Sequence, residues 1–179
     1  KLIEIDKNTE QRTISLGELY LLNKEFGFVI TTLEPIYKSG NYSLDVLRLL
    51  LIAYSTIGES EKQIIISLKL TEEYPDLPIG YEALSFAYME ANKETDAVNI
   101  LHDSIDKFPN KENFPYSLAT IYYRSGNYTQ AEKYFLTTLT INPDMIYVQH
   151  RLAIMYEEME FTDRSDSLFQ KIIQNREND

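Results

Sequence analysis

The sequence predicts an all-α fold built from about five helix-turn-helix repeats of 34 residues each. Three observations support this prediction: tyrosines, leucines and prolines each recur at intervals of 34 residues. The leucine precedes the tyrosine by four residues, and the proline follows the tyrosine by 21 residues. The recurring residues are Tyr20, Tyr54, Tyr88, Tyr122 and Tyr156; Leu16, Leu50, Leu84, Leu118 and Leu152; and Pro75, Pro109 and Pro143.

The first helix of each repeat has a predicted buried face made of leucine, a small residue and tyrosine. These residues follow the offsets 0, 1 and 4, which lie on one face of an α-helix. A small residue such as Ala119 lets a partner helix approach closely. Gly58, Asn92 and Gly126 follow their tyrosines by four residues. Each of these residue types tolerates the positive φ that ends many helices, so we expect the first helices to end there.

A second amphipathic helix follows in each repeat. Ala131, Phe135 and Leu139 are spaced i, i+4 and i+8, and the proline that comes next cannot continue a helix. The pattern predicts ten helices, in the ranges 10–23 and 27–38, 44–57 and 60–73, 78–91 and 94–107, 112–125 and 128–141, and 146–159 and 162–175.

The repeat register predicts a single array over residues 1–179. Residues 1–7 are similar to the end of a second helix from a preceding repeat, with Lys7 where the register expects proline. We therefore expect the chain to be a fragment of a longer repeat protein. The predicted repeats span residues 10–43, 44–77, 78–111, 112–145 and 146–179.

Composition narrows the classes of partner. The net charge of −11 argues against nucleic acid and anionic membranes, because a surface that binds phosphate needs a basic patch. The most apolar run, residues 44–54, contains Asp45 and Arg48 and is too short to cross a bilayer, so we expect no membrane insertion. The chain has no cysteine, which leaves the compartment open: cytoplasm and periplasm are both compatible.

The repeat resembles the tetratricopeptide repeat (TPR) family. The fourth repeat carries the resemblance most completely, through Tyr116, Leu118, Ala119, Tyr122, Gly126, Tyr128, Ala131, Phe135 and Pro143. The resemblance implies a right-handed α-α superhelix, a TPR solenoid, whose first helices line a concave groove. It also implies a scaffold that binds protein segments and not an enzyme.

The exposed stripe of each first helix follows the spacing i, i+3, i+7 and i+10, on a different face from the tyrosine. In the first repeat this stripe includes Ile14, and we expect Met89 and Tyr123 to be its most exposed members. The alternative is that some of these residues pack on a neighbouring repeat as core. The predicted peptide-binding groove comprises Arg48, Ile52, Glu82, Phe86, Met89, Tyr116, Tyr123, Tyr147, His150 and Ile154.

The groove composition predicts a partner with an apolar or basic segment. TPR domains that bind the acidic tails of chaperones use lysine, asparagine and arginine at fixed groove positions. At the corresponding positions of this chain, only Arg151 matches. Acidic residues such as Glu82 and Glu157 instead favour a basic segment. Two alternatives remain. The terminal repeats could stack into a homo-oligomer, or the chain could be the non-catalytic part of a larger enzyme or of a secretion or assembly protein.

The sequence contains no recognisable catalytic, cofactor or metal motif. Its two histidines are His102 and His150; His150 shares a helix face with Glu157, but two ligands do not form a zinc site. A Gly-rich phosphate loop and a nucleophile elbow are also missing. We therefore expect no catalytic residues, no cofactor and no metal.

Overall fold

The computed structural model describes residues 7–40 and 42–177. In these residues the chain forms ten α-helices and no strand. Apart from the start of the first helix, every helix end lies within two residues of its predicted position. The helices are α1 (Lys7–Leu22), α2 (Phe26–Ser39), α3 (Leu44–Ile57), α4 (Ser60–Glu73), α5 (Pro78–Glu90), α6 (Glu94–Lys107), α7 (Asn113–Arg124), α8 (Tyr128–Ile141), α9 (Ile146–Glu158) and α10 (Thr162–Glu177).

The first helix is longer than the prediction. It begins at Lys7, three residues before the predicted start at residue 10. Lysine is a good helix former, so nothing in its chemistry stops a helix as proline does in the later repeats. Residues 1–6 lie outside the described residues, and their assignment to a preceding repeat stays a prediction.

The chain divides into two compact units, residues 1–97 (unit 1) and 98–179 (unit 2). In unit 1, α1 packs on α2, α2 on α3, α3 on α4 and α4 on α5, and α1 also contacts α3. In unit 2, α7 packs on α8, α8 on α9 and α9 on α10. Consecutive helices therefore form the interior of each unit. The predicted single array and its repeat bounds stay predictions.

The turn after each first helix has the same backbone geometry in all five repeats. One residue adopts a positive φ of 56–78° four residues after the tyrosine: Lys24, Gly58, Asn92, Gly126 and Glu160. The next backbone N–H then donates to the tyrosine carbonyl at 2.8–3.0 Å, from Glu25, Glu59, Lys93, Asn127 and Phe161. This left-handed cap satisfies carbonyls that the helix end leaves unpaired. The predicted positive φ at Gly58, Asn92 and Gly126 is confirmed.

The core of each unit is built from the periodic leucines and the side chains around them. Leu50 in unit 1 and Leu118 in unit 2 have no exposed surface, and Leu84 and Leu152 are at most 2% exposed. Burial of each such side chain stabilises the fold by about 1.5–3 kcal/mol. The remaining fully buried large side chains include Leu33, Leu47, Leu70, Phe114, Phe135 and Met155.

The first repeat departs from the predicted pattern of burial. The prediction buried Leu16 and exposed Ile14, whereas the structure exposes 42% of Leu16 and only 3% of Ile14. Helix α1 packs on α2 and α3, and its opposite side, with Leu16 and the 53% exposed Leu19, faces solvent. Leu50 on α3 and Leu152 on α9 are buried instead, because helices pack on both sides of α3 and α9.

None of the described helices is both long enough and apolar enough to span a membrane.

Candidate functional site

Unit 1 carries an open groove between α3 and α5, with a volume of about 350 Å³. Its most exposed apolar side chains are Phe86, with 52% of its surface accessible, and Ile52, with 42%. Glu82 provides the charged group of this groove. The full lining is Leu51, Ile52, Ser55, Thr56, Gln63, Ile79, Glu82, Ala83 and Phe86.

Unit 2 carries a larger groove, with a volume of about 1080 Å³. Helices α7 and α9 form its walls, the turn between α8 and α9 forms one end, and α10 contributes Ile172. Its most exposed large hydrophobic side chain is Tyr147, at 49%. The full lining is Tyr123, Asn142, Asp144, Met145, Ile146, Tyr147, His150, Arg151, Ile154 and Ile172.

Aromatic contacts hold one end of the unit 2 groove in place. The ring centroids of Tyr116 and Tyr147 lie 5.2 Å apart with the planes at 88°, an edge-to-face arrangement. Tyr116 also packs against the buried Phe135, at 6.2 Å. Edge-to-face pairs are favourable because the positive rim of one ring meets the negative face of the other. Tyr147 is therefore an exposed ring supported by the half-buried Tyr116, which packs on the buried Phe135.

A hydrogen bond fixes the side chain of Tyr123, which lies near the C-terminal end of α7. The Tyr123 hydroxyl donates to Oε1 of Glu158 on α9 at 2.7 Å. This hydrogen bond, together with burial, raises the pKa of Tyr123 to about 12. Tyr123 is therefore a protonated donor at neutral pH, fixed between Glu158 and the ring of Tyr128 at 5.9 Å.

Solved structures with the same helical arrangement cover nearly the whole chain. A crystal structure of MamA protein superimposes with a TM-score of 0.82 at 19% identity, covering 96% of this chain and 94% of that chain. MamA from Desulfovibrio magneticus gives a TM-score of 0.80 at 12% identity, covering 94% and 96%. A thermophilic TPR protein of Thermus thermophilus gives 0.66 at 19% identity, covering 92% and 90%.

The chain has a tetratricopeptide-repeat fold. The resemblance read from the sequence is confirmed at the level of fold, which is all that likeness at such low identity shows. No protein-family model and no curated protein sequence matches the chain.

The TPR fold distributes the predicted groove residues over both units. In unit 1 it brings together Ile52, Glu82 and Phe86 in one groove. In unit 2 it brings together Tyr123, Tyr147, His150 and Ile154, with Tyr116 supporting Tyr147. Three predicted residues lie outside these linings: Tyr116, which supports Tyr147 from behind, Arg48, which is exposed on α3, and Met89, which is half-buried on α5.

The expected exposure of Met89 and Tyr123 is wrong. Both side chains are half-buried, whereas Phe86 and Tyr147 are the most exposed large hydrophobic residues of the two groove linings. Tyr123 loses exposure because the Tyr128 ring and the Glu158 carboxylate lie against it. The spacing of residues on one helix does not reveal such contacts, since they come from other helices.

Several groove residues of unit 2 were missed by the sequence argument. Asn142, Asp144 and Met145 come from the turn between α8 and α9, and Ile172 comes from α10. The prediction considered first helices alone. A usable signal existed in Pro143, which fixes this turn next to the start of α9 and so places its neighbours at the groove end.

The described residues contain no group of three or more histidine, cysteine, aspartate or glutamate side chains able to hold a metal ion. Half-buried His102 lies between two tyrosine hydroxyls instead, 3.4 Å from Tyr122 and 3.5 Å from Tyr134. His150 packs edge-to-face on Phe169 at 5.8 Å. Both histidines are thus engaged with aromatic side chains of unit 2.

Proposed function

We propose that this TPR chain is a non-enzymatic protein-interaction scaffold that binds an apolar or basic segment of a partner along its first helices. The observation that carries the proposal is the exposure of Phe86 and Tyr147 inside grooves lined by first helices. Large apolar side chains exposed in a groove are typical of protein contacts, and aromatic residues are frequent among those that dominate binding.

The charge of the chain supports the expected chemistry of the partner. A net charge of −11 attracts basic segments and repels nucleic acid and anionic lipid. The unit 1 groove has Glu82 beside Ile52 and Phe86, which fits a segment that combines apolar and basic side chains. Open grooves of this kind suit an extended or helical peptide better than a small molecule, because a small ligand needs a more enclosed pocket.

Random peptides displayed on phage provide the test. Selected peptides should bind with affinity that Phe86→Ser in unit 1, or Tyr147→Ser in unit 2, lowers about tenfold. Ile65→Ser and Leu136→Ser are matched controls, because these side chains are 53% and 45% exposed and lie outside both groove linings. Equal losses of affinity in the controls would show that peptides bind outside the two grooves. Failure to select any peptide would contradict the proposed function.

The exposed apolar side of α1 favours homo-oligomer formation as a second candidate. Leu16 and Leu19 are 42% and 53% exposed on one side of this helix. Self-association through this side should give a molecular mass that rises with concentration in light scattering, and Leu16→Lys should abolish the rise. A mass that stays monomeric at all concentrations would exclude this candidate and leave the groove proposal intact.

A further inference from the structure

The Tyr116–Tyr147 end of the unit 2 groove carries an exposed aromatic ring. Tyr147 is 49% exposed, and its ring stands perpendicular to Tyr116 at a centroid distance of 5.2 Å. Phe135 anchors Tyr116 from the core side. A ring held in this way keeps one orientation, so a ligand that stacks on it loses little free energy in ordering the site.

Two carboxylates lie at the same end of the groove. Glu112 precedes α7, and its Oε1 is 3.5 Å from the Asn142 Nδ2, a side chain that lines the groove. Asp144 lines the groove two residues further along the chain and is exposed. Burial raises the pKa of Tyr147, and the charges of Tyr116 and Glu112 raise it further.

These carboxylates have no cationic partner within the part of the chain that the structure describes. The salt bridges of unit 2 consist there of Arg164 with Glu132, away from this groove. An exposed aromatic ring beside unpaired carboxylates is an arrangement that attracts a cation, since the ring face and the carboxylates are both negative.

We propose that Tyr147, Tyr116, Glu112 and Asp144 form a subsite for one cationic side chain, a guanidinium or an ammonium, of the bound partner segment. This inference rests on the proposed function and names the chemistry that the groove recognises at one position. The cation stacks on the exposed face of Tyr147 and pairs with the carboxylates at its edge. A guanidinium fits best, because its plane can stack on the ring while its N–H groups bond a carboxylate.

Arg151 limits where the cation can lie. It follows Tyr147 by four residues, about 6 Å along α9, and its charge acts on Tyr123 near Glu158. Asp144 lines the same groove, and Glu112 is hydrogen-bonded to the lining residue Asn142. The cation is expected at the Tyr147 end, and an acidic ligand there would meet Glu112 and Asp144.

An NMR titration with two amino acid derivatives, each blocked at both termini, tests whether the subsite prefers a cation. N-acetyl-arginine methylamide is the cation, and N-acetyl-citrulline methylamide is its neutral isostere. The arginine derivative should shift the ring signals of Tyr147 and Tyr116, with at least about threefold higher affinity than the citrulline derivative. Equal affinities, shifts confined to other residues, or stronger binding of N-acetyl-glutamate methylamide would each overturn the proposal.

Variants assign the effect to the named residues. Tyr147→Leu and Glu112→Gln should each lower the affinity for the arginine derivative about threefold or more. Asp144→Asn, at an exposed turn position, is the variant least able to disturb folding and should act in the same direction. Asp103→Asn on the exposed side of α6 removes the same charge elsewhere in unit 2 and should change nothing. Unchanged binding in all three subsite variants would refute the assignment.

The outcome separates this subsite from the function on which it rests. If selected peptides bind the groove with no preference for arginine or lysine over glutamine, the scaffold function stands and the subsite is wrong. If the arginine derivative binds at Tyr147 while no peptide is ever selected, the subsite stands and the segment-binding function is wrong.

Discussion

The hydroxyl of Tyr54 donates a 2.5 Å hydrogen bond to Oε1 of Glu34, and this bond joins α3 to α2 in unit 1. Tyr54 is one of the periodic tyrosines and is only 3% exposed. In unit 2 the equivalent Tyr156 reaches a carboxylate in the same manner, since its hydroxyl donates to Oε1 of Glu132 at 2.7 Å. These tyrosines therefore connect a first helix to the second helix before it, besides filling the core.

Removing the Tyr54 hydroxyl should destabilise the protein. We expect Tyr54→Phe to lower the free energy of unfolding by about 1–2 kcal/mol, because the half-buried Glu34 carboxylate loses a hydrogen-bond donor. Urea denaturation at neutral pH measures this change. Tyr122→Phe is the comparison, since its hydroxyl lies 3.4 Å from His102 and contacts no carboxylate in the described structure. An equal loss in both variants would contradict the role given to Glu34.

The same bond should make stability depend on acidity. Hydrogen bonds from Lys38 and Tyr54 lower the pKa of Glu34 below its ordinary value of 4.5. A carboxyl whose pKa is lower in the folded state stabilises the fold fully above pH 4.5, and that contribution disappears as the pH falls through the folded pKa. The stability difference between wild type and Tyr54→Phe should therefore shrink as the pH falls below 4.5. A stability difference that grows as the pH falls would contradict this prediction.

The close approach of α5 to α4 depends on Gly80. A Cβ added there would lie 2.9 Å from Cβ of Leu70 and 3.0 Å from the Thr71 backbone nitrogen. We expect Gly80→Ala to cost about 1–3 kcal/mol, because the helices must separate. Gly27→Ala is the control: a Cβ there meets nothing within 4 Å, and alanine should stabilise α2 by about 0.5–1 kcal/mol. A neutral Gly80→Ala in thermal unfolding would contradict the packing described.

In two of the five turns that follow a first helix, a residue other than glycine or asparagine adopts a positive φ and strains the backbone. Lys24 and Glu160 have φ values of 60° and 61°, whereas Gly58 and Gly126 occupy the same turn position in other repeats. Lys24→Gly and Glu160→Gly should each raise the free energy of unfolding by about 1 kcal/mol, because glycine adopts positive φ without a Cβ clash. Gly58→Ala, where no neighbour lies within 4 Å, should lower it by a similar amount. Destabilisation by both glycine substitutions would show that the turns are not strained.

A buried hydroxyl weakens the core of unit 1. Ser67 has no exposed surface, and its Oγ has no hydrogen-bond partner in the described part of the chain. We expect Ser67→Ala to stabilise the protein by about 1 kcal/mol, because it removes a desolvated polar atom. Ser104 is equally buried, but its Oγ donates to the Ile100 carbonyl at 2.6 Å, so Ser104→Ala should give no such gain. Equal effects on the urea midpoint would contradict this distinction.

The sequence by itself determined the ten helices of the described residues and, apart from the start of α1, their ends. The spacing of Leu118, Ala119 and Tyr122 marks one helix face, and Gly126 ends that helix through its positive φ. Such features depend on a few neighbouring residues, so local patterns are sufficient to predict them.

Only the tertiary structure decided which side chains are covered and which form a site. Leu16 and Leu50 occupy the same repeat position, yet Leu16 is 42% exposed and Leu50 is fully buried, because α2 and α4 both pack on α3, whereas α2 and α3 leave the Leu16 side of α1 uncovered. Likewise Asp144 and Ile172 enter the unit 2 groove from a turn and from α10. Burial and grooves depend on contacts between residues far apart in the chain, and a repeat pattern treats equivalent positions as identical.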